Sequence, residues 1–115
     1  MTTHPATVAM NVAQTVFAAK RSSQLNRAVR EFVDVLRTIP DCAAGAVSAG
    51  SIQLLQHLGE RVIEQVEQRL AEGADRERMQ QELAAAVYDI RSALEEVDRW
   101  QRHFACVDAS RTPVF

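Results

Sequence analysis

Apolar side chains recur at helical spacing along most of the chain. Leu25, Val29, Phe32, Leu36 and Ile39 follow one another at steps of three and four, which puts them on one face of a helix. Upstream, Val8, Ala9, Val12, Ala13, Val16, Phe17 and Ala19 cover more than half of the circumference. No Gly or Pro interrupts Ala6 to Ile39, so the pattern predicts one long first helix, started near Pro5 and ended by Pro40. The polar interval Lys20-Arg21-Ser22-Ser23-Gln24 offers the alternative: a kink or break near Ser22, with Ser22 or Ser23 capping a new helix and a four-helix bundle as the result.

Residues 41–50 are small, include two glycines and read as a loop. Ser48 or Ser51 then caps a second helix with Ile52, Leu55, Leu58, Val62, Val66 and Leu70 on one face, and Gly73 stops it. Asp75 suits the N-cap of a third helix. Its pattern is the clearest of all: Leu83, Ile90, Val97 and Phe104 recur every seven residues, with Met79, Ala86, Ala93 and Trp100 at the companion position. Val87 and Leu94 widen this coiled-coil-like seam enough to meet two neighbours. No stretch alternates with period two, so the class is all-α: an up-down-up bundle of three long helices in one domain over 1–106, with 107–115 as a flexible tail.

Helices of roughly 51, 33 and 46 Å (at 1.5 Å per residue) do not match in length. Apolar stripes on overhanging ends need a cover, which predicts a homo-oligomer, most simply a dimer, built on Val12, Val16 and Phe17 of the first helix and on Trp100 and Phe104 of the third.

Composition narrows the class without naming a task. The 115 residues are 47% hydrophobic, too apolar for a disordered chain, and no unbroken apolar run approaches the roughly 18 residues of a membrane helix. The first residues lack the basic and apolar regions of a secretory signal, so a cytoplasmic protein is expected, with no membrane partner. Twelve of the basic residues are Arg, as a GC-rich bacterial genome tends to produce. Net charge is −2, which does not favour nucleic acid as a partner. Its distribution is uneven: residues 1–40 hold five basic and two acidic side chains, the remainder eight and thirteen. Pairing between helices explains this, and the rival explanation is a nucleic-acid accessory role for the basic first helix.

Candidate chemistry is sparse. His57 lies one position off the apolar stripe of the second helix, as the phosphoacceptor of a His phosphotransfer module would, but Glu60 so close repels a phosphoryl group. His57 and Glu60 invert the Glu-x-x-His half-site of a carboxylate di-metal bundle. Cys42, His103 and Cys106 fall at one end of an up-down-up bundle but lack a fourth zinc ligand, and in a reducing cytoplasm the two thiols stay unbridged. Neither a nucleophile elbow nor a phosphate loop occurs. The expected function is therefore non-catalytic and cofactor-free: an oligomeric adaptor, chaperone or assembly subunit that works through helix association with a protein partner the sequence does not name.

Overall fold

A computed structural model describes residues 5–41, 49–73 and 75–111, and the side chains of Pro5, Asp41 and 104–111 lie outside that description. It holds four α-helices among these residues: α1 (Pro5–Ala18), α2 (Ser22–Thr38), α3 (Ala49–Glu72) and α4 (Glu77–Arg111). The all-α class holds. The single first helix does not: it breaks at residues 19–21 and α2 folds back against α1, so three helices become the four of the alternative reading.

The reversal uses no glycine. Ala19 N–H donates to Val16 O at 3.2 Å, tightening the last turn of α1, and Arg21 stands extended (φ −102°, ψ 145°) as the N-cap of α2. The Gln24 side-chain oxygen accepts from Arg21 N–H at 3.4 Å, and Arg69 of α3 donates to Lys20 O at 2.9 Å. Polar groups at the break are thus satisfied by side chains rather than by a continued helix. Ser22 is the first helical residue and is buried, so neither serine is the cap.

Around the bundle the order is α1, α2, α4, α3, with α2 and α3 touching slightly across the diagonal. Arg69, near the end of α3, reaches the α1–α2 turn, so α3 runs parallel to α1. Asn26 donates to Glu82 at 3.3 Å and Arg30 pairs with Asp89, so α2 and α4 advance together in the opposite direction.

Packing follows the sequence stripes closely. Leu25, Val29, Phe32, Leu36 and Ile39 are all buried, as are Ile52, Leu55, Val62 and Val66, and Leu83, Ala86, Ile90, Ala93 and Val97 of the seven-residue repeat. Met79, Leu94 and Trp100 are partly buried against this core. Gly59 lies where α4 comes close: a β-carbon built there would stand 2.6 Å from Leu94 Cδ1, so the bare backbone makes room for the leucine. Gly73 (φ 64°) ends α3 in the left-handed conformation expected of it. α2 stops at Thr38, and Pro40 sits in a short 3-10 turn over Ile39–Asp41. α4 begins at Glu77 with Arg76 before it, so Asp75 falls one residue short of the cap. Ser51 lies inside α3, and Ser48 is outside the described residues. The helix of α4 continues to Arg111, so the segment 107–115 starts helical.

Candidate association surface

α1 differs from its neighbours in chemistry. Its inner face is Ala6, Ala9, Ala13 and Val16, small side chains that let the helix sit close to α2 and α3. Its outer face is Thr7, Met10, Asn11, Gln14, Thr15, Phe17 and Ala18, all exposed. None of the 14 residues of α1 is ionisable. Thr15 returns its hydroxyl to Asn11 O at 3.2 Å, which removes one more polar group from the outer face. Met10 is 41% and Phe17 43% exposed, and their seven-residue separation aligns them along one line of the helix. Phe17 borders a shallow groove of about 450 Å³ whose other wall is Arg61, Glu64, Gln65 and Gln68 of α3.

The five residues expected at an interface do not come together as one patch. Val16 is fully buried and Val12 packs partly against the core, because the fold-back of α2 gives both an intramolecular neighbour. That removes Val16 from any surface role. Phe17 remains outside. Trp100 is partly buried on the core, on a helix that does not flank α1, and the Phe104 side chain lies outside the described residues. Met10, Leu54 and Tyr88 are exposed apolar residues off the sequence stripes. Periodicity alone favours residues on the apolar face; the signal that would have found Met10 is the unbroken absence of charge from Pro5 to Ala19.

Two of the five basic side chains of residues 1–40, Arg30 and Arg37, meet an acid of the remainder. Arg30 pairs with Asp89 across α2 and α4, Arg37 approaches the same carboxylate at 4.0 Å, and Arg91 of α4 meets Glu67 of α3 at 2.7 Å. At four-residue spacing within single helices, Arg78 pairs with Glu82 (3.6 Å) and Asp98 with Arg102 (2.6 Å), whereas Arg30 turns from Asp34 to Asp89. The basic first helix therefore divides into an uncharged α1 and an α2 whose arginines are partly engaged, which leaves no continuous cationic stripe along residues 5–38.

His57 is exposed on α3. His57 does not line the groove between α3 and α4, whose walls are Gln56, Glu60, Leu94, Glu95 and Asp98. Among the described residues no group of three His, Cys, Asp or Glu side chains is placed to hold a metal ion. Cys42 and the side chain of Cys106 lie outside the described residues, so the thiol pair has no geometry here. Among the described residues, no helix is long and apolar enough to cross a membrane. No family model, no curated protein and no solved structure matches the chain.

Proposed function

We propose that this chain is a non-catalytic helical association module, acting in the cytoplasm as an oligomeric adaptor, chaperone or assembly subunit. The observation that carries this reading is the outer face of α1, where Met10 and Phe17 are each about two fifths exposed on a helix with no ionisable residue. Leaving about two fifths of each side chain wet forgoes roughly 0.6–1.2 kcal/mol each relative to full burial, a cost that a partner surface would recover. Depletion of charge and enrichment in Phe and Met are the composition of an interface centre.

The test is crosslinking with a residue-nonspecific photo-reactive group placed at Gln14 and expressed in the native cell. Adducts to protein, whether another chain or a second copy, are expected at this position. A probe that reacts only with water, with the protein intact and folded, overturns the reading.

A further inference from the structure

The turn between α1 and α2 sets local preference against the fold. Ala19, Lys20 and Arg21 are among the strongest helix formers, and no Gly or Pro occurs from Ala6 to Ile39. None of the three has a positive φ, and the turn is closed by side chains, Gln24 accepting from Arg21 N–H and Arg69 donating to Lys20 O. A helix running straight through would give the last carbonyls of α1 and the first N–H groups of α2 partners of their own. Packing opposes it: in a lone chain Ala6, Ala9, Ala13 and Val16 would leave α2 and α3 for water.

A second copy removes that opposition. We infer that α1 exchanges between two copies of this chain: residues 19–21 straighten, Pro5 to Thr38 becomes one helix about 51 Å long, and each α1 fills the α1 site of the other copy. The occupant follows from the site itself, because the channel along α2 and α3 is already shaped to Ala6, Ala9, Ala13 and Val16. No outer surface has to match another. With 14 residues of α1 on one side of the turn and 17 of α2 on the other, two long helices crossing antiparallel at residues 19–21 set α1 of each on α2 of its partner, in the register of the hairpin. The two-fold axis passes through the hinge.

α1 is the element suited to exchange. Its inner side chains are small, so detaching it uncovers less apolar area than detaching α2 with Leu25, Phe32 and Leu36. Monomer and dimer share their contacts outside the hinge, so protein concentration and the hinge residues set the balance. The exchange goes beyond the association reading and does not rest on it, since the outer face of α1 stays outside the bundle in both forms.

Refolding of the purified full chain from urea tests this: at about 1 mM it should yield a species of twice the 12.8 kDa monomer mass in sedimentation, and at about 1 µM the monomer. Thr15 and Arg27 line one groove between α1 and α2, so Thr15→Cys with Arg27→Cys, in a Cys42→Ser, Cys106→Ser background, reports which chain supplies α1. A short thiol-reactive crosslinker should join the two cysteines within one chain in the monomer and between chains in the separated dimer. Ser22→Pro should lower the dimer association constant at least about 100-fold, because proline suits the first position of α2 and keeps Arg21 extended but breaks a helix running through. Gln24→Ala with Arg69→Ala removes both side-chain contacts at the turn and should raise the dimer fraction, which keeps the test open if Ser22→Pro does not fold. The exchange is overturned by a parent chain that stays monomeric after refolding at the higher concentration, by a dimer whose crosslinks stay within chains, or by a folded Ser22→Pro chain that dimerises like the parent.

Discussion

α1 and α2 are consecutive, nearly equal in length and packed on each other, yet they divide their side chains in opposite ways. α2 buries Leu25, Phe32 and Leu36 and exposes Arg27, Glu31 and Asp34. α1 buries Ala9, Ala13 and Val16 and exposes Met10 and Phe17. A helix of the first kind is fixed by its own core contacts and kept soluble by its charges. The second kind contributes little apolar volume to the core and leaves much of it outside. Burial of a stripe and ownership of large side chains are thus separate properties, and their separation marks the face with unfinished packing.

Truncating one buried residue on each inner face separates the two helices most strongly. Phe32→Ala in α2 should cost about 3–5 kcal/mol in urea unfolding followed by circular dichroism, since the ring is fully buried. Should Phe32→Ala prove mild, α2 is not fixed by its own core contacts. Val16→Ala in α1 should cost about 2 kcal/mol, from two lost methyl groups and a small residual cavity. Equal losses at the two sites would erase the distinction between the helices.

A smaller effect is expected from charge. Asp89→Ala removes the carboxylate shared by Arg30 and Arg37, and because all three side chains are partly exposed the loss should be under about 1 kcal/mol and shrink as salt is added. Val16→Ala should show no such salt dependence. An Asp89→Ala loss that is independent of salt would assign the residue a packing role instead. The smallest change is expected from Phe17→Ser measured at micromolar concentration or below: within about 0.5 kcal/mol of the parent chain, because the ring contributes to an outer face. A loss of several kcal/mol would place Phe17 in the core and withdraw it from any interface.

Much of this architecture is written locally in the chain. Steps of three, four and seven residues suffice for Leu25 to Ile39 and for Leu83 to Val97, since a helix repeats its faces whatever it packs against. Gly73 was readable as a stop because a left-handed residue favours glycine, and Pro40 because proline constrains the residue before it. The candidate surface is half legible: Val16 and Phe17 share one broad apolar segment, and the bundle buries Val16 while leaving Phe17 outside.

Tertiary structure decided what no local rule contains. The turn at residues 19–21 carries neither Gly nor Pro and adopts no positive φ, so the polar interval Lys20–Gln24 offers a break without deciding it; doubling back there lets α1 bury Ala9, Ala13 and Val16 in the bundle. Arg30 faced Asp34 four residues on and Asp89 on another helix, and packing settled the choice for Asp89. By itself the sequence determined that the chain makes amphipathic helices and where most of them end, because those depend on neighbours within a turn or two. Which apolar residues stay outside depended on how many other helices each one meets, and that is a property of the assembled bundle.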